Sequence, residues 1–567
     1  MTDAEELTLA QPEDEHSLDE WEAAAAAVLR KSGRIAEGDP DNLVWDKLTR
    51  TTLDGIGITP LGTATLLEGL TTSGRPTRAQ AWDIRPRLAD ADPARGNEIA
   101  LAELDGGATS LWLRLEDSDD LARLLDGVLL DLAPVVLDAP ADRVGTARAL
   151  LALFAERGVT PHDGTNLGAD AATTPGEELV GIARLAQELG VRGVVVDATA
   201  VHDRGASDVQ ELAWSIEAGV RVLRTLTDAG LSAVEAARLI EFRYAATDEQ
   251  FPTIAKLRAA RRLWARVLEL SEAAGVPQRQ HVVTSRPMMS KYDPYVNMLR
   301  TTVAAFAAGV GGADAVTVLP FDSPLGKPDG FGRRIARNLH HLLIDESHVA
   351  AVADPAGGAY AVEKLTDDLA IAGWDLFGRL EAGEDLDPLI EEVVAERDRL
   401  VAHRRRPLTG LTEFPNLEET LPEREPDPTA SEVRRYGADF EALRDRPATT
   451  PIFLATLGPI AQHTARATFA SNLFAAGGVA VESAGATTDP ADLARKYAAA
   501  TTPTPVVCLA GSDAAYREWG EAAAGALREA GARHVIIAGR PVEYADDSCA
   551  AGLDALRFLT TTREKLA

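Results

Sequence analysis

The sequence predicts an α/β protein in which a (β/α)8 TIM barrel is followed by a smaller, doubly wound domain of flavodoxin-like type. Short apolar segments alternate with longer helical patterns over most of the chain. A proline-rich stretch interrupts this alternation, which then begins again. The chain has 567 residues, which is too long for one ordinary core, so two or more domains are expected.

The barrel is predicted over residues 44–402. Its candidate strands are almost continuously apolar, as expected of parallel strands covered on both faces. An additional strand is predicted to be hidden near Thr160–Asp170. The visible candidates are Ser110–Leu115, Val135–Leu137, Val194–Val196, Ile240–Phe242, His281–Thr284, Ala315–Leu319 and Val349–Val352. The helices predicted between them include Asp119–Leu132, Val209–Asp228 and Thr253–Ala274.

The boundaries of the segments outside the barrel are predicted from residues that interrupt regular secondary structure. Residues 1–43 form an arm with one alanine-rich helix, Trp21–Leu29, whose apolar face must lie on another surface. Recurrent prolines make residues 403–450 a linker, with one short helix near Ser431–Leu443. Residues 451–567 form the flavodoxin-like domain, with strands IFLATL, VAVES, PVVCLA and HVIIAG.

Charge and hydropathy exclude several classes of function. The net charge is −31, and so acidic a chain repels nucleic acid phosphates. A solvated surface explains this charge best, with binding of a basic partner as the alternative. No apolar run reaches the ~18 residues of a membrane span, and the acidic N-terminus has no signal pattern. We therefore predict a cytoplasmic protein that binds neither nucleic acid nor membrane.

General motifs give no site. Cys508 and Cys549 are too few for a disulfide framework or a thiolate zinc site. The histidines around Glu346 lack the spacing of a zinc-binding HExxH helix, and a glycine-rich turn at Gly309–Asp314 lacks the lysine of a phosphate loop. We predict no catalytic residue, no metal ligand and no directly bound cofactor in this chain.

Two long segments, Asp293–Asp322 and Gly330–Ala370, resemble the methylmalonyl-CoA mutase family. The stretches ELAWSIEAGVRVLRTL and AKLRAARRLWARVL are similar to the same family in the same order, and AWDIR at Ala81–Arg85 resembles the start of its barrel. With RRYGADFEALRD in the linker, the resemblance extends over nearly the whole chain from about residue 45. It implies a barrel for acyl-CoA and a C-terminal flavodoxin-like domain for cobalamin.

The C-terminal domain departs from this family at its cofactor loop. Catalytic members carry DxHxxG, in which the histidine ligates cobalt and the aspartate accepts that histidine's other ring proton. Here the three positions fall on Ile460, Gln462 and Ala465. His463 is one residue too late, and alanine rather than aspartate lies two positions before it.

The barrel also lacks residues that contact the substrate and the cofactor in catalytic members of this family. The Tyr-His pair that contacts substrate in catalytic members falls on Thr199 and Ala200, with His202 two residues downstream. The tyrosine that covers the corrin face falls on Arg87. A guanidinium is a poor replacement for an aromatic side chain that shields a radical.

A further difference lies after the predicted strand His281–Thr284. Catalytic members have TSGWS where this chain has TSRPM followed by a second methionine. Large side chains at the carboxyl end of a barrel strand point to the barrel mouth. Our hypothesis is that Arg286, Met288 and Met289 plug a barrel that no longer admits the coenzyme A arm.

The resemblance therefore implies a structural, non-catalytic small subunit of a heterodimeric mutase. Adenosylcobalamin and the radical interconversion of methylmalonyl-CoA and succinyl-CoA, a step of propionate metabolism, would belong to the large subunit. Two alternatives stay open: an active acyl-CoA mutase with a rebuilt site, and a regulatory or chaperone-like scaffold for another mutase.

Overall fold

The computed structural model describes residues 16–70, 74–76, 78, 80–428, 430 and 432–566. A short helical segment precedes a parallel barrel, and a second parallel sheet follows it. Residues 1–15 of the predicted arm lie outside the described residues. Within those ranges, no helix combines the length and the apolar character needed to cross a membrane.

The N-terminal segment folds back on itself. Helix α1 (Leu18–Lys31) begins with a capping box at Ser17, which is a strong start signal. Its apolar side packs against α2 (Leu43–Leu48), and the rings of Trp21 and Trp45 lie 4.7 Å apart. The surface that the predicted helix required is therefore supplied by α2, the next helix in the chain.

A small hairpin connects this segment to the barrel. Strands β1 (Arg50–Thr51) and β2 (Gly57–Ile58) are antiparallel, and a 3-10 turn at Ala64–Leu67 follows them. The hairpin turn carries Asp54, whose carboxylate accepts a short hydrogen bond from the hydroxyl of Ser207. This contact fixes the hairpin to a helix on the outside of the barrel.

Eight parallel strands close into a ring, which confirms the predicted barrel. The first strand is in two pieces. The strands are β3 (Asp83–Ile84) with β4 (Arg87–Leu88), β5 (Leu111–Arg114), β6 (Val135–Asp138), β7 (Asn166–Asp170), β8 (Arg192–Asp197), β9 (Ile240–Ala246), β10 (Arg279–Thr284) and β11 (Ala315–Thr317). Because β3 pairs with β11 and β4 pairs with β5, the first and last strands complete the ring.

Helices cover the outside of the barrel. They are α3 (Pro93–Asp105), α4 (Leu121–Leu124), α5 (Arg143–Arg157), α6 (Gly176–Leu189), α7 (Thr199–Asp203), α8 (Asp208–Asp228), α9 (Ala233–Arg238), α10 (Gln250–Leu270), α11 (Val296–Val310), α12 (Gly330–His341), α13 (Tyr360–Glu381) and α14 (Leu386–Ala402). Helices α8, α10 and α13 pack side by side. Gly219 makes this possible, because a Cβ there would lie 2.9 Å from the rings of Phe242 and Trp264.

Two predictions about the barrel are wrong. Val349–Val352 is not a strand, since it lies in turns after a π-helical turn at Leu342–Glu346. The ring is completed instead by the first strand, β3 with β4. The sequence did not reveal this strand because Pro86 and two arginines interrupt its apolar pattern. The helix predicted at Asp119–Leu132 is only a 3-10 turn and the four residues of α4, because Gly127 turns the chain with a φ of +73°.

The hidden strand, β7, lies where the sequence predicted it. Its register shifts between Asn166 and Ala169, and Gly168 between them has a φ of +78°. A Cβ at Gly168 would lie 2.0 Å from the carbonyl oxygen of Leu137, so only glycine fits. Bulges of this kind weaken the apolar pattern of a strand, which is why the sequence signal was faint.

The described residues of the linker, 403–428, 430 and 432–450, contact both the barrel and the C-terminal unit. They contain one helix, α15 (Ala438–Arg444), near the predicted position. The guanidinium of Arg444 donates to the carbonyl oxygen of Gly410 at 3.0 Å and lies 3.9 Å from the ring centre of Tyr292, a barrel residue. Lys291 beside it pairs with Asp445 at 2.6 Å. The segment is therefore fixed to the barrel through α15.

The C-terminal unit is a five-stranded parallel sheet, which fits the predicted flavodoxin-like domain. Its strands are β12 (Ile452–Thr456), β13 (Val481–Ser483), β14 (Val506–Ala510), β15 (His534–Ala538) and β16 (Asp547–Cys549). Their order, β13-β12-β14-β15-β16, is that of flavodoxin. Its helices are α16 (Ile460–Ala476), α17 (Pro490–Ala498), α18 (Asp513–Ala515), α19 (Glu521–Glu529) and α20 (Ala555–Leu566). The sequence did not predict β16 and α20.

Candidate functional sites in the barrel and the C-terminal domain

The barrel interior contains charged side chains at a level that apolar residues usually fill. Arg85 and Glu241 are at most 1% exposed, and Arg85 Nη1 lies 3.0 Å from Glu241 Oε1. Arg85 Nε also donates to the hydroxyl of Ser110 at 3.0 Å. Burial alone would raise the pKa of the Glu241 carboxyl, but Arg85 and the arginines around it hold that pKa below its ordinary value.

A second charged layer lies one step closer to the carboxyl ends of the strands. Arg243 Nη1 is 2.6 Å from Asp197 Oδ2, and its guanidinium carbon lies 3.9 Å from the ring centre of Trp112. Burial would raise the pKa of Asp197, but Arg243 outweighs it and the pKa is lowered. Both layers are therefore balanced ion pairs rather than free charges.

His281 connects the two layers in one defined tautomer. Its Nδ1 accepts from Arg243 Nε at 3.0 Å, and its Nε2 lies 2.7 Å from the hydroxyl of Thr317. That hydroxyl donates onward to the carbonyl oxygen of Arg85 at 2.5 Å, so His281 Nε2 must carry the proton. Burial, together with Arg85 and Arg243, lowers the pKa of His281 well below its ordinary value.

Arg87 lies on β4, at the carboxyl end of the first strand. Its guanidinium carbon is 5.4 Å from the ring centre of Trp112. Burial, with Arg286 as the next cause, lowers the pKa of Arg87 to about 10. The side chain is therefore still cationic at neutral pH, and it places charge where the resemblance implies an aromatic ring in catalytic members.

Thr199 and Ala200 begin α7, just after β8. Thr199 is 4% exposed and its hydroxyl donates to Asp197 Oδ1 at 2.6 Å. Ala200 is exposed and carries only a methyl group. The hydroxyl is committed to Asp197 and the methyl group has no acid or base function, so this pair supplies no group that could polarise a substrate carbonyl.

His202 is buried between Ser285 and Glu211. Its Nε2 lies 2.7 Å from Ser285 Oγ, while its Nδ1 is 3.4 Å from Glu211 Oε2. Glu211 in turn accepts a 2.6 Å hydrogen bond from Lys256 Nζ. Because His202 and Ser285 are 3% and 2% exposed, the arrangement is a closed core network and not an accessible nucleophile.

Arg286, Met288 and Met289 lie in the loop after β10, at the carboxyl-end face of the barrel. Met288 and Met289 are 3% and 2% exposed and belong to the barrel core. Arg286 Nη1 is 2.9 Å from Asp203 Oδ2. A cavity of about 370 Å³ adjoins Arg286, Met289 and Arg87. The three side chains are therefore fixed at the mouth, and their exclusion of coenzyme A stays a prediction.

Ile460, Gln462 and Ala465 lie in the first two turns of α16 and are all exposed. His463 points inward: it is 6% exposed, and its Nδ1 donates to the carbonyl oxygen of Gly458 at 3.2 Å. Gly458, at a φ of +80°, turns the chain from β12 into the helix. The imidazole is thus used to close this turn.

The histidines near Glu346 have separate structural partners. His340 Nδ1 accepts from Trp82 Nε1 at 3.0 Å, and His341 contacts Asp345 and the carbonyl oxygen of Gly106. In the part of the chain that the structure describes, no group of three or more potential metal-binding side chains occurs.

Sequence reasoning missed the charged layers inside the barrel. Their signal was present in β9, where the apolar run IEFRYAA contains Glu241 and Arg243 and every residue is buried. A charge at a buried strand position requires a partner, so these two residues should have suggested Arg85 and Asp197. The contact of His202 with Ser285 joins residues 83 positions apart and left no local pattern.

This chain is similar in sequence to known proteins of one family. The family model described as Methylmalonyl-CoA mutase matches residues 186–487. A methylmalonyl-CoA mutase small subunit of Streptomyces virginiae is 45% identical over 99% of this chain and 98% of its own length. A probable small subunit of Mycobacterium bovis is 42% identical over 92% of each chain. The small subunit of Propionibacterium freudenreichii subsp. shermanii is 33% identical over 99% of this chain and 96% of its own.

Proposed function

The chain belongs to the methylmalonyl-CoA mutase family, and we propose that within it this chain is a non-catalytic small subunit that pairs with a related catalytic large subunit. The family is one of isomerases and uses cobalamin. The description of the relatives as small subunits implies a larger partner. In the proposal, the partner binds adenosylcobalamin and interconverts methylmalonyl-CoA and succinyl-CoA.

The observation that carries the proposal is the geometry of α16. Cobalamin bound in the way the family resemblance implies needs an imidazole that reaches the cobalt and a carboxylate behind it. Ile460 and Gln462 offer neither group. His463 is buried against Gly458, so it would have to break the turn before it could reach a ligand. The residues of this domain do not fit cobalamin, which supports binding by the partner.

The barrel mouth supports the same conclusion for the substrate. Thr199 is bonded to Asp197, Ala200 has no polar group, and Arg87 introduces a cation beside Trp112. The mouth is also occupied by Arg286 paired with Asp203. We infer that the barrel serves as a rigid body that buries a large surface of the catalytic subunit. Obligate interfaces of this kind commonly bury more than about 2,000 Å².

Exposed apolar side chains in the arm and the linker support a contact with the partner there. Leu18 and Val28 on α1 are 46% and 67% exposed, and Phe414 in the linker is 78% exposed. Phe414 has a φ of +54°, in a region that bulky side chains rarely adopt. Its N–H donates to Asn472 Oδ1 at 2.8 Å, which holds the strained backbone in place.

The test is co-expression with the cognate large subunit, followed by size-exclusion chromatography and visible absorbance of each chain and of the complex. We expect a one-to-one complex with one cobalamin, and no colour on this chain alone. Cobalamin on the isolated chain, or two per complex, would contradict the proposal and favour an active enzyme with a rebuilt site.

A substitution in the linker tests whether its exposed apolar side chain contacts the large subunit. Phe414→Asp should weaken the complex by tenfold or more, because it places a charge in an apolar contact. Phe251→Asp is the matched control, since Phe251 is 54% exposed but lies on α10, outside the arm and the linker. Equal effects of the two substitutions on the dissociation constant would exclude the linker as the contact surface.

A further inference from the structure

The cavity beside Arg286 lies off the barrel axis. Its walls come from the ends of the first and last strands, from α3 and α12, and from the linker residues Pro426, Asp427, Ala430, Val433 and Arg435. Ile99, Met289, Leu325 and Val433 give it an apolar side. Its volume of about 370 Å³ lies within the range of about 300–1,000 Å³ that is typical of small-molecule sites.

The cavity is lined by basic groups although the chain as a whole is acidic. Seven basic and three acidic side chains line it, in a chain whose net charge is −31. Some of the basic groups are already paired: Arg286 lies 2.9 Å from Asp203 and Arg435 lies 2.7 Å from Glu441. Arg337 pairs with Glu103 at 2.9 Å and Arg95 with Asp90 at 3.4 Å. Arg87 also has a partner in the protein, so among the described residues two of the seven lining cations are left over.

Those two cations, Lys327 and Arg333, flank the start of α12. Arg333 Nη1 donates to the carbonyl oxygen of Pro328 at 2.7 Å, and within the described residues neither cation forms an ion pair with a carboxylate. Asp322 and Asp329 are nearby, but Arg424 binds them at 2.6 and 2.8 Å. Both cations are half-buried, where a missing counter-charge is costly.

We propose that this cavity binds an organic anion, with its carboxylate or phosphate group at Lys327 and Arg333 and a short apolar chain against Met289 and Leu325. An anion of this class supplies the counter-charge that the cavity lacks and covers the apolar wall. The anion would also offset the repulsion between Arg87 and Arg286. That repulsion is the second cause, after burial, of the lowered pKa of Arg87. The site is separate from the proposed pairing function and does not depend on it.

The experiment is calorimetric titration of the full-length chain at low salt, alone and in complex with the large subunit. The probes are hexanoate and hexyl phosphate. The comparison compounds are hexanol and hexylamine, which keep the chain and change the charge, and acetate and inorganic phosphate, which keep the charge and lack the chain. We expect either or both anionic amphiphiles to bind at least tenfold more tightly than each comparison compound.

Two substitutions connect the binding to this cavity. Lys327→Met removes a cation without leaving an unpaired carboxylate, and it should weaken the binding of the anionic probe about tenfold, as for one hydrogen bond to a charged group. Val433→Trp fills the linker side of the cavity and should abolish binding. Lys31→Met, on the exposed end of α1, is the matched control and should change nothing. If Lys327→Met does not fold, Arg333→Met replaces it.

Three results would overturn the proposal. Hexanol that binds as tightly as hexanoate and hexyl phosphate would make the cavity merely apolar. Affinities unchanged by Lys327→Met and Val433→Trp would place the anion elsewhere. Failure of both anionic probes to bind would leave the cavity without the proposed ligand class. Because the titration is read on the chain alone as well, none of these results depends on whether the large subunit binds.

Discussion

The two sheets of this protein fill their interiors in opposite ways. The barrel buries ion pairs such as Arg85 with Glu241 and Arg243 with Asp197. The three central strands of the C-terminal sheet, β12, β14 and β15, present almost only apolar side chains, as in IFLAT and VVCLA. A closed ring leaves an axial space that polar layers can fill only when every charge is matched. An open sheet between helices needs only apolar packing. The same kind of substitution should therefore have different effects in the two units.

The largest expected effect is that of Glu241→Gln. It leaves the buried Arg85 with only its longer contact to Asp83, at 3.4 Å, and breaking a buried pair in this way typically lowers the free energy of unfolding by about 3–5 kcal/mol. Urea unfolding followed by tryptophan fluorescence measures it, because Trp519 is the only one of eight tryptophans that lies in the C-terminal domain. Glu384→Gln, which breaks an exposed pair with Arg379, should leave the value almost unchanged, because surface ion pairs contribute little to stability.

The C-terminal sheet should lose stability when a buried apolar side chain is shortened. Leu454→Ala in β12, at 2% exposure, should destabilise the C-terminal domain by about 3 kcal/mol through a cavity. Scanning calorimetry should show the C-terminal transition at a lower temperature and the barrel transition in place. A shift of both transitions together would mean that the two units unfold as one, and the comparison would then fail.

A fall in pH should destabilise the barrel through its buried His340. Burial, with His341 as a smaller cause, lowers the pKa of His340 to about 3, below the ordinary value of about 6.5. A lowered histidine pKa contributes stability that is complete above pH 6.5 and is lost as the pH falls toward 3, since the unfolded chain binds the proton first. Between pH 7 and pH 5 the barrel should lose about 2 kcal/mol through His340.

The variant His340→Gln isolates this contribution, because glutamine can still accept the hydrogen bond from Trp82 and does not titrate. Its barrel stability should fall about 2 kcal/mol less than that of the wild-type chain over the same pH interval. Identical pH dependence in the two proteins would show that the imidazole does not stay neutral in the fold.

The smallest effect is expected at the surface of α16. Ile460→Asp with Gln462→His replaces two exposed side chains, so the free energy of unfolding should change by no more than about 0.5 kcal/mol. Denaturant unfolding followed by circular dichroism measures it. A loss of more than about 2 kcal/mol would indicate that these positions support the core, contrary to their exposure.

The alternation of strands and helices was enough to predict both sheets, because parallel strands covered on both faces give continuous apolar runs. It failed at Asp83–Leu88, where Pro86 and two arginines interrupt the run, and at Val349–Val352, which is apolar but lies in turns. Alignment with the family placed Ile460 and Arg87, but their surroundings came only from the structure. His202, Ser285 and Glu211 come from three separate elements, and no linear pattern connects side chains that only the closed barrel brings together.

The closing seam of the barrel has a consequence for synthesis of the chain. Arg85 on the first strand meets Thr317 on the last, 232 residues later. At about 5–20 residues per second, the first strand emerges roughly 10–50 seconds before its partner. An unpaired strand is a template for association with other nascent chains. This one consists of two-residue pieces around Pro86, with arginines on either side. Such a strand should pair poorly with strands of other nascent chains before its own partner strand has been synthesised.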